Sequence, residues 1–320
     1  MKGYDVIGDI HGCATKLEAL LGKLGYRPDH VTGAYSHPER AVVFVGDLID
    51  RGDEQLRVLE IAKPMADAGT ALLVMGNHEF NAVAYATEWP SGSGNHLRPR
   101  NAKNDAQHCA FLKQVTPPAR EFYIGWFRSL PLWLDLGGLR VVHACWHRKS
   151  MDVVEAALDG NRFSTDDELV RASTKDDPLH AAVETLLKGP EISLSDHGQP
   201  SYRDKDGHPR AYARIRWWAE NATTLSEVAL LDGKLTTAEG QPYPDLPDVP
   251  VGADSRAYIY DGDVPVLFGH YWRSGAPEHL EDWTARTGCQ DFSAVKGGDL
   301  TAYRWSGETE LREENFVQQA

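Results

Sequence analysis

The chain has 320 residues, with 33 Lys and Arg against 47 Asp and Glu, which gives a formal net charge of −14. This length accommodates one large domain or two modest ones, and the acidic balance disfavours nonspecific binding to nucleic acid or to an anionic membrane. The four cysteines form no CxxC pair, and neither a signal-peptide segment nor an apolar run of membrane-spanning length is found, which together favour a cytoplasmic protein without disulfides or a cysteine zinc cluster.

The first third of the chain is predicted to alternate buried strands with helices. Each predicted strand is followed at once by glycine and polar residues. Because such alternation indicates βαβ units and a parallel sheet, the carboxyl ends of these strands should meet at one edge and form a ligand site there. The predicted strands are 4–7, 41–45 and 70–75, and the predicted helices are 13–24, 53–66 and one that ends near residue 87.

The later elements are less regular. A polar, loop-rich stretch over about 151–254 is predicted to be a cap inserted into a single domain that otherwise spans 1–320. The predicted helices are 104–115, 118–129, 151–158, 165–172 and 178–188, and the predicted strands are 132–136, 139–144, 257–260, 264–268 and 300–305.

Six candidate metal ligands stand at or just beyond these predicted strand ends. Charged groups at the end of a buried strand are costly unless they are paired or bind a metal. Mixed carboxylate, imidazole and amide ligands suit Mn²⁺, Fe or Zn²⁺ better than Mg²⁺. For any one of them taken alone, a hydrogen-bonded turn or a structural histidine is the competing interpretation. The six are Asp9, His11, Asp47, Asn77, His143 and His270.

The motifs that contain these residues resemble the successive motifs of the calcineurin-like metallophosphoesterases. The form of the second motif resembles the phosphoprotein-phosphatase branch, which includes serine/threonine phosphatases and bacterial diadenosine tetraphosphatases. The resemblance implies an α/β fold (α+β in some schemes), a sandwich of mixed sheets flanked by helices. The motifs are Gly-Asp-Ile-His-Gly at 8–12, Gly-Asp-Leu-Ile-Asp-Arg-Gly at 46–52, Gly-Asn-His-Glu at 76–79, Val-His-Ala at 142–144 and Gly-His at 269–270.

The resemblance also implies a dinuclear centre in which Asp47 bridges two divalent ions, most simply Mn²⁺. Asp9 and His11 would complete one site. A metal-bridging hydroxide would then attack phosphorus in line. The second site would be completed by Asn77, His143 and His270.

Three further residues receive catalytic roles from the resemblance. His78 is the implied general acid for the leaving group, and Asp50 is implied to orient its ring. Arg51 would hold phosphate oxygens by a bidentate contact, although a simple Asp50–Arg51 pair that stabilises the turn is the alternative. Glu79 is expected to cap the start of the following helix rather than to take part in the chemistry.

The sequence departs from the family pattern in two places. Many members end with Gly-His-x-His, but here Trp272 takes the position of the last histidine and cannot ligate a metal. Eukaryotic protein phosphatases also use a second phosphate-gripping arginine from their central region, and the sequence does not single one out. The possibilities are Arg203, Arg210, Arg214 and Arg216.

A few other residues have both structural and functional interpretations. For Cys145 a buried structural thiol is favoured over a ligand, and for Trp217 and Trp218 packing is favoured over stacking on a base. Lys188 and Lys205 are candidates for contact with an anionic substrate, although most lysines are solvated surface groups.

The predicted function is metal-dependent hydrolysis of small or nucleotide phosphoesters, such as dinucleoside polyphosphates, in a protein of bacterial type. A serine/threonine protein phosphatase is the main alternative. An inactive scaffold and a nucleic-acid end phosphatase are less favoured, because every expected ligand is present and the chain is acidic. The sequence leaves the oligomeric state open.

Overall fold

The computed structural model describes residues 3–204, 207–231, 233 and 235–320. The chain forms two compact units, one of Met1–Lys188 with Asp263–Ala320 and the other of Gly189–Gly262. The cap was predicted from residue 151, but the helices up to residue 188 belong to the first unit. In the described part of the chain, no helix is both long and apolar enough to cross a membrane.

The regular elements are numbered in chain order. The strands are β1 Gly3–Ile7, β2 Arg27–Pro28, β3 Tyr35–Ser36, β4 Arg40–Phe44, β5 Ala71–Leu73, β6 Trp133–Asp135, β7 Arg140–Val142, β8 Glu191–Ser193, β9 Tyr202–Arg203, β10 Pro209–Arg210, β11 Tyr212–Ile215, β12 Ala229–Leu230, β13 Thr236–Thr237, β14 Val266–Phe268, β15 Thr287–Cys289, β16 Leu300–Trp305 and β17 Phe316–Gln319. The helices are α1 Ala14–Lys23, α2 Gln55–Asp67, α3 Asn77–Ala86, α4 Ala102–Gln114, α5 Pro117–Arg128, α6 Arg148–Leu158, α7 Asp166–Ser173, α8 Pro178–Lys188, α9 Leu225–Val228 and α10 Ala253–Arg256. Short 3-10 turns occur at Ser195–His197, Ala294–Lys296 and Glu313–Asn315.

The first sheet has the strand order β17-β16-β1-β4-β5. As predicted, β1, β4 and β5 are parallel, and β16 and β17 continue the sheet in antiparallel fashion. Helices α1 and α2 connect the parallel strands, and α1 buries Leu17, Leu20 and Leu21 on one face. Because the three strands run in the same direction, the segments that follow them lie at one edge of the sheet.

The second sheet has the strand order β15-β14-β7-β6 and packs against the first. Strands β6 and β7 form the predicted hairpin, whereas β14 is parallel to β7 and to β15. Val6 and Val43 of the first sheet share one core cluster with Val141 and Leu267 of the second, and all four are fully buried. Burial of side chains of this size contributes about 1.5–3 kcal/mol each. The predicted sandwich of mixed sheets is confirmed.

The described residues of the second unit form two small sheets, with the orders β12-β11-β8 and β10-β9-β13. The predicted strand at 257–260 is wrong, because this segment continues α10 as helical turns. The amides of Ala257 and Ile259 donate to the carbonyls of Ala253 and Arg256. The aromatic and branched residues there favour a strand by composition, but local hydrogen bonds fix the backbone.

Candidate metal centre

The segments that follow the central strands have a left-handed backbone at several residues that are not glycine. This conformation is sterically unfavourable for L-residues and costs roughly 1–3 kcal/mol at each position. Such residues persist only where the surrounding structure holds them, and they cluster at functional sites. The residues are His11 (φ 45°), Asp47 (φ 52°), Asp50 (φ 68°), Arg51 (φ 73°) and His270 (φ 76°).

Asp47 lies at the centre of the site and is 2% exposed. Its Oδ1 accepts a hydrogen bond from the amide of His78 at 2.9 Å and lies 3.5 Å from Nε2 of His143. Its Oδ2 lies 3.5 Å from Nε2 of His11. The two oxygens of one carboxylate therefore face imidazoles from two different strand ends.

Two groups of side chains with the geometry of a metal site share this carboxylate. In each group the possible ligand atoms lie within 4.8 Å of one another. The first group is His11, Asp47 and His78, and the second is Asp47, His143 and His270. Asn77 adjoins the second group, because its Oδ1 lies 3.1 Å from Nε2 of His143 and 2.8 Å from Nδ1 of His270.

The hydrogen bonds of two histidines leave lone pairs directed at oxygen atoms. Nδ1 of His11 and Nδ1 of His143 each lie 2.8 Å from a backbone carbonyl, which can only accept, so each Nδ1 carries the proton. Burial lowers the pKa of His11 to about 3 and lowers that of His143 as well, so both rings are neutral at pH 7. The unprotonated Nε2 of His143 then lies near Oδ1 of Asp47 and Oδ1 of Asn77, and all three atoms can only accept a hydrogen bond.

These lone pairs fit a bound cation. Nε2 of His11 is buried and has no hydrogen-bond partner among the described residues. Divalent ions bound on either side of the Asp47 carboxylate would satisfy these nitrogen lone pairs. The donor set therefore fits the divalent metals that carboxylate and imidazole ligands bind.

Asp9 lies next to this cluster but does not belong to either group of three. Its two carboxylate oxygens accept hydrogen bonds from the amide of His270 at 3.2 and 3.1 Å. Burial raises its pKa well above the ordinary value, and the carboxylates of Asp291 and Asp47 add to the effect. A side chain at Gly269 would have its Cβ 2.0 Å from Asp9 Oδ1, so only glycine allows this approach.

A hydrogen-bonded chain of three side chains lies beside the metal cluster. Oδ2 of Asp50 is 2.6 Å from Nδ1 of His78, and its Oδ1 is 2.7 Å from Nδ1 of His108. Burial lowers the pKa of His78, but the carboxylates of Asp47 and Asp50 outweigh it, and the net effect is a raised pKa. Nδ1 of His78 is thus fixed by Asp50, and its Nε2 lies 3.9 Å from Oδ2 of Asp47.

His108 was not predicted, because it lies on α4, 58 residues from Asp50, and no motif marks it. Its only sequence signal is a place on the apolar face of a helix, which is the position of many structural histidines. Asp50 is hydrogen-bonded to two histidines rather than to Arg51, and the guanidinium of Arg51 lies over the ring of Trp272 instead.

Trp272 contacts one candidate metal ligand and two cationic side chains. Its ring stacks on that of His11, with centroids 5.4 Å apart and an interplanar angle of 13°. The guanidinium of Arg51 lies 4.6 Å from the indole centroid, and the ammonium of Lys296 lies 3.4 Å from it. The indole therefore holds two exposed cations beside a metal-ligand candidate.

Glu79 does more than cap α3. Its Oε2 accepts hydrogen bonds from the amides of Gly76 at 3.0 Å and Asp47 at 2.8 Å, and its Oε1 accepts one from Leu48 at 2.9 Å. Burial raises its pKa to about 7, with a further contribution from the Asp47 charge. One buried carboxylate thus ties two strand-end segments together.

The remaining candidate residues have local partners. Burial raises the pKa of Cys145 well above its usual value, in agreement with an inert thiol. Lys188 pairs with Glu184, whereas Lys205 lies outside the described residues. In the second unit, Trp217 and Trp218 are fully buried and pack edge to face, with centroids 6.1 Å apart.

The four central arginines all lie in the second unit. Arg203 donates to the carbonyl of Gly207 at 3.0 Å, and Arg210 pairs with Asp204 at 2.9 Å. Arg216 donates to the carbonyl of Glu227, and Arg214 lies 3.7 Å from the carboxylate of Glu191. These contacts do not single out a phosphate-binding residue.

A two-sheet sandwich that carries carboxylates and imidazoles at its strand ends is suited to bind divalent metal ions. Residues 4–271 match the family model of the calcineurin-like phosphoesterases, and the chain belongs to this family. The resemblance drawn from the motifs is thereby confirmed.

Several named relatives are similar to the chain. A symmetrical bis(5'-nucleosyl)-tetraphosphatase of Ralstonia nicotianae is 29% identical over 93% of this chain and 87% of its own length. An asymmetrical bis(5'-nucleosyl)-tetraphosphatase of Oceanobacillus iheyensis is 30% identical, but the match covers 44% of this chain and 54% of that protein. For the corresponding protein of Halalkalibacterium halodurans, 46% identical, the match covers 23% of this chain and 30% of that protein. The chain thus spans between 30% and 54% of the length of these two asymmetrical relatives. A Saccharomyces cerevisiae serine/threonine phosphatase structure has the same fold, with a TM-score of 0.51, 13% identity and coverage of 99% of this chain and 79% of that one.

Proposed function

We propose that the chain hydrolyses phosphate esters and anhydrides at a centre of two divalent ions, and that its substrates are small or nucleotide compounds such as dinucleoside polyphosphates. The observation that carries this proposal is the position of Asp47. Its two oxygens face separate imidazoles, at 3.5 Å in each case, as a bridging carboxylate requires.

The residues present divide into two sets for two ions. Asp9, His11 and Asp47 would hold one, and Asp47 with Asn77, His143 and His270 would hold the other, with Mn²⁺ as the preferred metal. Bound ions of this kind supply an activated water and neutralise charge on the phosphoryl group.

The chain itself supplies proton transfer and orientation. Asp50 fixes Nδ1 of His78, so a proton carried on Nε2 can reach the leaving oxygen without any turn of the ring. Arg51 is exposed and held against Trp272, where its guanidinium can grip two phosphate oxygens. The anionic substrate thus meets cations in a chain that is acidic overall.

Relatives that align with almost the whole chain support a nucleotide substrate. The Ralstonia nicotianae protein and its Pectobacterium carotovorum counterpart, which is 24% identical over 94% of this chain and 90% of its own length, are both named as symmetrical tetraphosphatases. Both names refer to a tetraphosphate that carries nucleosides. Two divalent ions would suit such a substrate, because they can neutralise the negative charge of its phosphates.

The test is a substrate panel on Mn²⁺-loaded protein: diadenosine tetraphosphate, an aryl monoester, an aryl diester and a phosphothreonine peptide. We expect the dinucleotide to have the highest kcat/KM, and we expect a chelator to abolish all turnover until Mn²⁺ is restored. Dominant hydrolysis of the peptide would instead assign a protein phosphatase. Failure of the metal-loaded protein to hydrolyse any of the four would remove the enzymatic proposal.

A further inference from the structure

A pocket of about 530 Å³ lies among α3, α4, α5 and the segment that joins α3 to α4. It lies wholly in the first unit, and its lining contains none of the nine residues assigned to metal binding or catalysis. Its volume is in the range of small-molecule sites. The side chains that matter here are Tyr85, Arg100, His108, Leu112, Arg120 and Ile124.

The charges of this pocket favour an anion. Within the described ranges neither Arg100 nor Arg120 forms an ion pair with a carboxylate, although the chain carries 47 acidic residues. Nε of Arg120 is buried and has no hydrogen-bond partner among the described residues. A buried donor that is left unsatisfied is costly, and it marks a place for an absent acceptor. Glu121 is the one acidic residue in the lining.

The rest of the lining favours a flat apolar group. Leu112 and Ile124 supply aliphatic contact, and Tyr85 supplies an aromatic ring. The guanidinium of Arg100 already lies 5.0 Å from the Tyr85 ring centroid, so an aromatic ligand can join an existing stack. Together with the two arginines, these walls suit an aromatic ring system that bears a phosphate or a carboxylate.

His108 connects this pocket to the catalytic side chains. It lines the pocket, and its ring packs 5.3 Å from that of Tyr85. On its other side it is bonded to Asp50, which in turn is bonded to His78. A ligand that moves Tyr85 or His108 must therefore change how Asp50 holds the ring of the general acid.

We propose that this pocket binds an aromatic phosphate such as a nucleoside monophosphate, and that its occupancy is transmitted to His78 through His108 and Asp50. The nucleotide is either part of the substrate itself or a separate effector, and the chemistry of recognition is the same in both cases. The proposal takes only its kinetic assay from the proposed function.

The experiment measures how AMP affects the hydrolysis of an aryl phosphate monoester by the metal-loaded enzyme. AMP that competes at the metal centre changes only the apparent KM, whereas AMP in the pocket also changes kcat. We compare the native chain with Arg120→Gln and with Arg128→Gln, a control on the same helix whose arginine pairs with Asp166. Ile124→Trp, which fills the pocket without removing a charge, is a second test variant.

We expect AMP to change kcat in the native chain and in Arg128→Gln. In Arg120→Gln, the AMP concentration for half the effect should rise about tenfold, as expected for one charge-assisted hydrogen bond, and Ile124→Trp should lose the effect. A purely competitive effect with one inhibition constant in all four proteins would overturn the proposal. Thermal unfolding of each variant identifies any loss that is due to misfolding.

Diadenosine tetraphosphate then separates the two sources of the nucleotide. A KM that rises about tenfold in Arg120→Gln for this substrate, but not for the aryl ester, assigns the pocket to part of the substrate. An unchanged KM with loss of the AMP effect assigns it to an effector. If the native enzyme hydrolyses neither substrate, the proposed function fails, and calorimetric titration of AMP into the four proteins still tests the pocket. Equal affinity of the native chain and of Arg120→Gln for AMP would then overturn the proposed pocket site.

Discussion

Replacing His108 by Phe removes the hydrogen bond to Oδ1 of Asp50 but keeps a flat ring in the stack with Phe111, whose centroid lies 5.0 Å away. Asp50 is 2% exposed, so bulk water cannot replace the hydrogen bond that its Oδ1 loses in this variant. A hydrogen bond to a buried charged group contributes about 1.5–3 kcal/mol. We expect His108→Phe to lower the free energy of unfolding by this amount, as measured by urea denaturation of the metal-loaded protein.

The same change should lower kcat. Loss of a general acid costs on the order of 10²–10⁴ in rate, but His108→Phe leaves the 2.6 Å bond between Asp50 and His78 in place. We therefore expect a loss of about tenfold in kcat with little change in KM, measured on an ester with a poor leaving group that requires protonation. His180→Phe, a half-buried histidine on α8, is the matched control.

A double-mutant cycle tests the route of this effect. If His108 acts only through Asp50, then His108→Phe should cost almost nothing in an Asp50→Asn background, because contacting residues are not additive. Equal losses of kcat in both backgrounds would refute the reasoning and leave His108 with a purely structural role.

Three further changes probe other contacts of the site. Trp272→Leu should raise KM for every phosphate substrate about threefold to tenfold, because Arg51 loses its platform. Glu79→Gln should weaken metal affinity about tenfold to a hundredfold, since the amide cannot accept all three backbone hydrogen bonds that hold Asp47 and its neighbours. Cys145 should not react with a thiol reagent at pH 8 in the folded protein, because burial raises its pKa, and it should react after unfolding.

Each of these has a plain contrary outcome. An unchanged KM in Trp272→Leu would mean that Arg51 is held by other groups. Metal titration of activity in Glu79→Gln that matches the native curve would show that the carboxylate only caps the helix. Rapid labelling of Cys145 in the native state, located by mass spectrometry, would contradict its burial.

The arrangement of the site could be predicted because it follows from chain direction. Strands β1, β4 and β5 are parallel, so residues placed just after each of them must meet at one edge. The hydrophobic pattern of each strand and the glycines beyond it are local signals, and local signals are visible in sequence. The positions of Asp9, Asp47 and Asn77 near one another depend on little else.

What the sequence did not indicate depends on contacts between distant segments. His108 is an ordinary helix residue until α4 packs beside Asp50. The sequence marks Trp272 only as a residue that cannot ligate a metal, and its contacts with His11 and Arg51 appear in the structure alone. The wrong strand at 257–260 has the opposite cause, since its composition favours a strand but no strand among the described residues pairs with it. Residue type sets a propensity, and the available partner decides the outcome.

The left-handed residues at the strand ends have a consequence for how this chain tolerates change. Glycine adopts that backbone freely, so Gly at His11, Asp47, Asp50, Arg51 or His270 relieves strain while it removes the side chain. At Asp50 the loss of two buried hydrogen bonds opposes this relief, whereas at the exposed Arg51 the loss is a surface contact with Trp272, so a search for thermal stability would select Gly at position 51. A stabilised variant selected without an activity screen should therefore carry Gly in place of Arg51 and lose the proposed contact with phosphate.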